Sequence, residues 1–486
     1  MESLKSSDAP PRSRVPARVL SNGSYAVLLT ERGGGMAAHR GYALTRWEAD
    51  PVRDGDGAFL YVRDLDSGEW WCPTPRPARM AGGSYRAALD GAVAAWECRH
   101  SGIELRLEVA VAVDCDVEVR RLTIRNTTDR PRRLEVTTCA AVVLNTPAAD
   151  AAHPAFSRLF VQTSFDAERR ALVAWRRLRS PGDRPLWFAH RLLAGDDAAV
   201  EHETDRVRFI GRGRTAADPI ALRSREPLGG STGSVLDPVF ALRCSVDVPA
   251  GEERSVHAVY CAAGDASTLE RLLDSVASPV DADEVIAAPA ARGDDAQDVL
   301  GLPERWLRNV AFEEPWKADG VSAQPSPSLP GGHAQPAGIQ PPAADDLDMF
   351  NGHGGFSASG DEYVIRVPCG AEGVHLPPLP WVNVIANEHA GCIVSERGSI
   401  HTWAANSREN RLTPWSNDPV SDPHGEAFWV RDEDSGQSHS LAPGPRPAPT
   451  RYDVHHGFGY THFRHAHDGL ACEATVFVPR YEPVRI

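Results

Sequence analysis

The chain carries one stretch of 25 residues twice without a gap. Residues 44–68 read LTRWEADPVRDGDGAFLYVRDLDSG and residues 412–436 read LTPWSNDPVSDPHGEAFWVRDEDSG, so the offset is 412 − 44 = 368 and 14 of the 25 positions are identical. The match extends outward with small gaps, for example from Asn22 to Asn387. A repeat of this length predicts a duplicated domain, so the fold must be one that occurs as two similar modules.

The two copies are expected to differ in length. The first continues past Val119 through a long series of strand-like segments, whereas Ile486, the last residue of the sequence, aligns with Val119. The second copy is therefore predicted to be truncated partway through the domain.

The period of the hydrophobic pattern predicts a mainly β fold. From 94 to 124 polar and apolar residues alternate, as in Ile103, Leu105 and Leu107 against Glu104 and Arg106. This alternation is typical of antiparallel strands with one buried face. Helical spacing first appears at 265–277, so the first domain reads as a large β-sandwich followed by one helix.

Composition changes between the two copies. Ala, Pro, Gly and Asp dominate from about 280 to 345, where only 299–310 has the pattern of a short helix. We therefore predict a first domain at 15–278, a short helical and Pro/Gly-rich linker at 279–344 and a second, incomplete domain at 345–486.

Charge and cysteine usage exclude several classes of function. The net charge of −15 and the pI near 5.6 argue against a nucleic-acid-binding surface. No apolar run is long enough to span a membrane, and the N-terminus lacks the apolar core of a signal peptide, which favours a cytoplasmic chain. The nine cysteines are scattered without C-x-x-C spacing, so neither a disulfide framework nor a zinc site is predicted.

The motif D-x-D-S-G occurs in both copies, at 64–68 and 432–436. Paired carboxylates can cleave glycosidic bonds, but an Asp next to Ser-Gly at the end of a strand usually caps a tight turn, and we favour that interpretation. The motif could also begin a calcium loop, yet position twelve is a proline in both copies instead of a glutamate.

Five histidines lie close together near the end of the sequence: His455, His456, His462, His465 and His467. Histidines at strand edges are usually solvated, so we predict no metal site. The glycine-rich turn at 33–35 lacks the Lys and Ser/Thr of a phosphate loop, and no nucleophile motif is present, so no cofactor is predicted.

Several runs together resemble a known family. They are AAHPAFSRLFVQT (151–163), GRGR (211–214), STGSVLDPVFALR (231–243), MFNGHGGF (349–356), DEYVIR (361–366), PWVNVIAN (380–387) and SRENRLTPWSNDPVSDPHGEAF (407–428). They are similar to the C-terminal region of bacterial cyclic β-1,2-glucan synthases, which is related to the family 94 glycoside phosphorylases, formerly glycosyltransferase family 36. The resemblance covers the chain except for about 280–340.

The resemblance implies a β-supersandwich of the galactose-mutarotase-like type that binds carbohydrate and packs against an (α/α)₆ barrel carrying the general acid. Relatives of this kind place a helical region between two sandwiches and continue beyond the point that aligns with Ile486. We therefore expect the barrel and its acid to be missing from this chain. The resemblance also implies that no metal is used.

Candidate sugar-binding residues combine aromatic faces with planar polar groups, which suit the C–H surfaces and hydroxyls of a sugar. They are Arg46, Trp47, Asp50, His153 and Phe156 in the first copy, and Arg408, Asn410, Trp415, Asn417 and Asp418 in the second. Each Trp could instead be a core residue that holds its loop in place.

Three hypotheses for function remain open. The first is a carbohydrate-binding portion of a glucan-synthase-like or phosphorylase-like protein that lacks its own catalytic centre and binds a β-glucan or gluco-oligosaccharide. The second is an active glycosyltransferase or glycoside phosphorylase of carbohydrate metabolism. The third is a scaffold that forms a homodimer or holds a partner catalytic domain. A cytoplasmic location is expected, with membrane association only through parts of a longer protein.

Overall fold

A computed structural model describes residues 15–48, 50, 54–78, 83–180, 182–195, 199–290, 296–302, 306, 310–311, 346–370 and 373–486. Most of the predicted linker lies outside these residues. The chain forms two units, 1–328 and 329–486, which are described separately. Strands dominate both units, as the alternating pattern predicts.

The described residues of the first unit include eighteen strands and seven short helices with assigned bounds. In chain order these are β1 (Val15–Ser21), β2 (Tyr25–Thr30), β3 (Gly35–His39), β4 (Tyr42–Thr45), β5 (Ala58–Asp64), β6 (Trp70–Trp71), β7 (Ser84–Ala88), β8 (Ala94–His100), β9 (Ile103–Val111), β10 (Val117–Asn126), β11 (Arg132–Asn145), α1 (Pro147–Ala152), α2 (Pro154–Arg158), β12 (Val161–Asp166), β13 (Ala171–Arg176), β14 (Trp187–Leu193), β15 (Val200–Asp205), α3 (Arg206–Ile210), α4 (Ile220–Arg223), β16 (Pro238–Val248), β17 (Glu253–Ala263), α5 (Ala266–Ser275), α6 (Pro279–Ala287), α7 (Ala296–Leu300) and β18 (Val310–Ala311).

These strands form two large sheets with a shared core. The ten-stranded sheet has the order β15-β16-β11-β4-β3-β2-β1-β18, and β5 pairs with both β11 and β6 outside this order. The eight-stranded sheet has the order β12-β13-β14-β17-β10-β9-β8-β7. One hydrophobic cluster joins the sheets, with Leu60 and Phe240 from the first and Trp96, Phe188 and Tyr260 from the second. The alternation read from the sequence therefore marks the faces that meet in this sandwich.

Helices α5 and α6 cover the other face of the eight-stranded sheet. Asp265 caps α5 by accepting a hydrogen bond from the Thr268 amide at 2.8 Å, so the helix predicted at 265–277 is confirmed. Ser278 forms a capping box with Asp281 at the start of α6. Buried Ile286 then joins α6 to the sheet, so part of the segment expected to be linker packs on the first unit.

Helix α7 overlaps the start of the short helix predicted at 299–310, of which 303–305 and 307–309 lie outside the described residues. It ends at Leu300, followed by Gly301 with a φ of +62°. Glycine adopts that left-handed conformation at little cost, which ends the helix. Buried Leu300 packs in a cluster with Trp47 and Val143, so α7 belongs to the packing of the first unit.

Twelve strands lie in the described part of the second unit, in smaller sheets. They are β19 (Gly354–Phe356), β20 (Glu362–Val367), β21 (Cys369–Gly370), β22 (Gly373–Val374), β23 (Val382–Ala386), β24 (Ala390–Ser395), β25 (Ile400–Ala404), β26 (Trp429–Arg431), β27 (Ser438–Ser440), β28 (Tyr452–Gly457), β29 (Tyr460–His467) and β30 (Leu470–Phe477). A five-stranded sheet has the order β19-β20-β28-β29-β30, β23-β24-β25 form a three-stranded sheet, and β21-β22 and β26-β27 are separate pairs. A single core cluster includes Ile365, Val394, Tyr452 and Phe463.

The two units repeat the same local hydrogen bonds. The side-chain amide of Asn22 donates to two backbone carbonyls, and the amide of Asn387 does the same. The acceptors are Ala112 and Cys115 in the first unit, and Pro479 and Glu482 in the second. Asp54 accepts from the Thr30 hydroxyl at 3.0 Å, and the corresponding Asp422 accepts from the Ser395 hydroxyl at 2.8 Å. These matched contacts support the duplication inferred from the sequence.

The repeated stretch has fewer neighbours in the second unit. Strand β5 pairs with β11 and β6 and is buried throughout, whereas β26 pairs, among the described residues, with β27. Phe428 and Trp429 are accordingly 55% and 53% exposed, while the corresponding Leu60 and Tyr61 are buried.

Candidate functional site

In the first unit, Arg46 and the helix α1 lie next to each other on the ten-stranded sheet. Strand β4, which Arg46 follows, pairs antiparallel with the end of β11, and α1 follows β11 directly along the chain. Arg46 donates from Nε and Nη2 to the two carboxylate oxygens of Asp150 in α1, at 3.0 and 3.2 Å. Burial by itself lowers the pKa of Arg46, but Asp150 and Asp237 outweigh it and the net shift is upward. Arg46 therefore stays charged and fixes α1 to the sheet.

The candidates His153 and Phe156 lie on the surface that α1 and α2 form. Thr146 accepts from the Ala149 amide at 3.3 Å and begins α1, and prolines begin both helices. His153 joins the two helices and is exposed, and Phe156 is 48% exposed. Because the two short helices leave the Phe156 ring about half exposed, this ring is available to a ligand.

The Phe156 ring lies beside Phe160 and Arg179. Phe156 meets Phe160 edge to face with centroids 5.2 Å apart, and the Arg179 guanidinium lies 5.0 Å from the centroid of each ring. The guanidinium groups of Arg176 and Arg177 lie 5.3 and 6.0 Å from the Phe160 centroid. We call these five residues the Phe156 surface. It combines an apolar face with planar hydrogen-bond donors.

A buried ion cluster lies beneath this surface. Arg158 of α2 and Arg206 of α3 both donate to Oδ2 of Asp237, at 2.9 and 2.8 Å. Asp237 is 1% exposed, so its charge is stabilised by this pairing and not by water. The cluster holds α2, and with it Phe156, in a fixed position.

Trp47 and Asp50 have structural positions in the first unit. Trp47 is 4% exposed and packs with Val143 and Leu300, so the ring has no open face for a sugar and its assignment to a binding surface is not retained. The Asp50 carbonyl accepts from the Asp54 amide at 2.9 Å and shapes the loop. Burial raises the pKa of Asp54, although the hydrogen bond from Thr30 opposes the shift.

The candidates of the second unit lie in one loop between β25 and Val420. Trp415 is 37% exposed and stacks on His401 with centroids 5.3 Å apart and ring planes at 10°. Arg408 and Asn410 are exposed in the same loop, and the Arg408 side chain lies 3.2 Å from Glu409. A ring supported on one face, with polar groups in its own loop, is a second possible contact for a sugar.

Asn417 and Asp418 hold the shape of this loop. Asn417 has a φ of +47°, a conformation that Asn tolerates better than most residues. The Asp418 carboxylate accepts from the amides of Val420 and Ser421 at 2.9 and 3.2 Å. Asn417, by its backbone conformation, and Asp418, by its carboxylate, therefore shape the loop.

The carboxylates of the D-x-D-S-G motif cap turns, as predicted. Asp64 Oδ1 accepts from the amides of Asp66 and Ser67 at 2.7 and 3.0 Å, and Asp432 Oδ1 accepts from the Asp434 amide at 2.9 Å. Asp64 is also buried and paired with Arg132. These carboxylates are occupied by structural hydrogen bonds.

The histidine group separates into two sets. His455, His456 and His462 bond to protein side chains: Glu362 at 2.8 Å, Thr461 at 3.0 Å and Thr475 at 2.6 Å. By contrast, His465 lies with His439 and Cys472, and their ligand atoms are all within 4.8 Å of one another. Burial, together with His439 and His467, lowers the pKa of His465 to about 4, although the Leu441 backbone opposes the shift.

Sequence reasoning missed the residues that complete these clusters. Phe160, Arg176 and Arg179 join Phe156 through a strand and a turn, and the signal available was the arginine-rich run after Trp175. His439 and Cys472 join His465 across separate strands. Alignment of the two copies would have shown them, because both stand where the first copy has apolar residues.

Comparison with known proteins agrees with the fold. The model of the glycosyl hydrolase 94 supersandwich domain matches residues 3–279 and 361–486. The cyclic beta-(1,2)-glucan synthase NdvB of Rhizobium meliloti (strain 1021) is 28% identical over 623 residues, covering 96% of this chain and 22% of the relative. The N,N'-diacetylchitobiose phosphorylase of Vibrio proteolyticus is 27% identical over 28% of this chain and 16% of the relative. The solabiose phosphorylase of Paenibacillus borealis is 23% identical over 46% and 28%.

The chain spans less than a third of the length of each of these relatives. The alignment to the glucan synthase covers 623 residues against a chain of 486, so the relative contains residues within the matched region that this chain lacks. No helix in the described part of the chain has the length and apolar character needed to cross a membrane.

Proposed function

Since the chain belongs to the glycosyl hydrolase 94 supersandwich domain family, we propose that it binds β-glucan chains, that the Phe156 surface is the main contact, and that it does not cleave the glucan by itself. A carbohydrate-related role follows from the family and from the glucan synthase and phosphorylase relatives. The ligand, the surface and the lack of turnover are the proposal.

The observation that carries the proposal is the half-exposed Phe156 ring beside Arg179. The C–H face of a pyranose packs on an aromatic ring, and hydroxyls accept from guanidinium donors. Arg179, 5.0 Å from the ring centroid, is close enough for its donors to reach the hydroxyls of a sugar stacked on Phe156. The Arg46–Asp150 pair and the Asp237 cluster hold the helices beneath, so little ordering is needed on binding.

The choice of a β-1,2-linked glucan rests on the relative that aligns with 96% of the chain, whose name specifies that linkage. Lack of turnover is supported by the described helices, of which the longest, α5, has 10 residues. In the family that this chain resembles, the general acid belongs to a barrel of long helices. Trp415 is proposed as a second, weaker contact.

Calorimetric titration of the 486-residue chain with β-1,2-gluco-oligosaccharides of increasing length tests the proposal. Phe156→Ala and Arg179→Ala are each expected to weaken binding about 3- to 10-fold, since an aromatic contact contributes about 0.5–1.5 kcal/mol. Val113→Ala, at a residue 53% exposed elsewhere in the first unit, is the matched control and should leave affinity unchanged.

The same samples distinguish the other hypotheses. Release of glucose or glucose 1-phosphate that one carboxylate substitution abolishes would establish an enzyme and contradict the proposal. Absence of binding, together with a stable dimer in sedimentation, would favour the scaffold. Equal binding by the Phe156 variant would place the contact elsewhere, with Trp415→Ala as the next test.

A further inference from the structure

Three side chains with metal-binding atoms converge in the second unit. His439 comes from β27, His465 from β29 and Cys472 from β30, and their ligand atoms lie within 4.8 Å of one another. His465 and Cys472 are direct partners in the β29–β30 ladder, so the backbone register sets their proximity. The ring of Tyr452 packs against His465 with centroids 4.4 Å apart.

The imidazole atoms in this cluster lack the partners that buried polar atoms normally have. His465 is 7% exposed, and neither of its ring nitrogens has a well-aligned hydrogen bond within the described residues, although the Leu441 backbone lies nearby. Nε2 of His439 is likewise buried without a hydrogen-bond partner among the described residues. His455 and His456, on the neighbouring strand, do make hydrogen bonds to protein groups. Buried polar atoms without partners point to a missing ligand or water.

The first unit provides an internal comparison. The β5–β6 register pairs Val62 with Trp71, and the β26–β27 register pairs Val430 with His439 at the repeat offset. The β8–β9 ladder likewise pairs Cys98 with Leu105 where β29–β30 pairs His465 with Cys472. The counterparts in the first unit are therefore Trp71, Cys98 and Leu105, all buried in its core.

In the second copy, His439 therefore stands in place of Trp71, Cys472 in place of Leu105, and His465 in place of Cys98. Placing two histidines and a thiol where a sandwich core can be apolar costs stability unless the polar atoms find a partner. A metal ion provides such a partner for all three atoms at once.

We propose that His439, His465 and Cys472 bind one Zn²⁺ ion through two imidazole nitrogens and one thiolate, with a water or an added ligand in the fourth position. Two nitrogens and a sulfur suit a tetrahedral ion of intermediate softness, with Zn–N near 2.0–2.1 Å and Zn–S near 2.3 Å. The Zn–S bond forms as the Cys472 thiol releases its proton to solvent, and no redox change is involved.

Binding would connect parts of the second unit that share no hydrogen-bonded ladder. Strand β27 pairs with β26, whereas β29 and β30 belong to the five-stranded sheet. An ion held by all three strands would fasten the β26–β27 pair, which carries the repeated stretch, to that sheet. His467 lies on the same strand face, with its ring centroid 5.9 Å from that of His439, and its Nε2 pairs with Asp468 at 3.1 Å.

The test uses the purified 486-residue chain under reducing conditions. Co²⁺ should produce a thiolate-to-metal charge-transfer band with visible bands of tetrahedral intensity, and Zn²⁺ should displace it at one equivalent per chain. Cys472→Leu should abolish the charge-transfer band, and His439→Trp should weaken Zn²⁺ binding at least about tenfold, within the range measured for changes at metal sites. Both substitutions introduce the residue that the first unit carries at the same position.

His389→Ala is the control, because His389 is exposed in the same unit and lies outside the cluster. It should bind Co²⁺ and Zn²⁺ as the unaltered chain does. A band retained in Cys472→Leu, or a chain that binds no Zn²⁺ at 100 µM, would overturn the proposal.

A measurement on the unaltered chain guards against misfolded variants. Zn²⁺ should slow alkylation of Cys472 severalfold, read by peptide mass spectrometry, and should leave the partly exposed Cys369 unaffected. Equal protection of both cysteines, or of neither, would contradict a site at Cys472.

Discussion

At the scale of single residues, the repeat makes pairs of identical side chains with different surroundings. Asp64 and Asp432 both cap the turn of the D-x-D-S-G motif, but Asp64 is buried and paired with Arg132, whereas Asp432 is exposed. The turn is local and recurs wherever the motif does. The ion pair depends on a strand about seventy residues away, which the second unit does not have among its described elements.

Asp64→Asn should destabilise the first unit at pH 7 by about 3–5 kcal/mol, since it leaves the buried Arg132 without its carboxylate. Burial raises the pKa of Asp64, but hydrogen bonds from Ser67 and Arg132 outweigh it and the pKa is lowered in the folded chain. The stabilisation that the Asp64 carboxylate contributes to the folded chain is therefore complete above the unfolded pKa of about 3.9 and is lost as pH falls through the folded pKa. Urea unfolding measures the difference in free energy of unfolding between Asp64→Asn and the unaltered chain. This difference should be constant from pH 7 to 5 and should shrink below about pH 4.

Asp432→Asn is the matched control and should leave the free energy of unfolding nearly unchanged, as surface substitutions usually do. Equal losses for the two variants would show that the turn, and not the pairing with Arg132, determines the effect.

At the scale of elements, α6 extends the first unit beyond the boundary predicted at 278. The composition of 279–344 indicates a linker, but α6 packs on the eight-stranded sheet through Ile286. Asp283 of the same helix meets Arg121 at 2.9 Å and His257 at 2.8 Å. A short amphipathic helix is difficult to recognise among Ala and Pro residues, because its stability comes from the sheet against which it packs.

Ile286→Ala should destabilise the first unit by about 2 kcal/mol or more, through lost burial and a cavity. Ser278→Ala should cost about 1 kcal/mol by removing the N-cap. Glu284→Ala, at an exposed position of the same helix, should change little. Hydrogen exchange of peptides from β9 and β10 is the measurement. If exchange there is unchanged in Ile286→Ala, α6 does not support the sheet.

At the scale of the whole molecule, the two units have cores of very different size. The main cluster of the first unit has 40 buried residues, whereas the second unit has one cluster of 12. Free energy from apolar burial grows with the area removed from water, so the second unit is the less stable of the two.

Thermal unfolding of the full chain should therefore occur in two steps, with the second unit first. Trp429→Ala should change the free energy of unfolding in the first step by no more than about 0.5 kcal/mol, because that ring is already 53% exposed. Tyr61→Ala should lower the free energy of unfolding in the second step by about 3–5 kcal/mol, because Tyr61 is buried. Scanning calorimetry with hydrogen exchange assigns each step to its unit. A single cooperative transition would contradict the predicted difference in stability between the two units.

The sequence by itself determined the features that depend on near neighbours or on repetition. The β class follows from an alternation of period two, the Asp turns and the α5 cap from residues two or three positions apart, and the duplication from self-similarity. Tertiary structure decided which side chains are buried and which meet. Trp47 is buried because β11 and α7 reach it, Phe156 gains Phe160 and Arg179, and His465 meets His439 and Cys472 because three strands bring them together. Burial and site geometry depend on contacts between distant segments, which a local pattern does not specify.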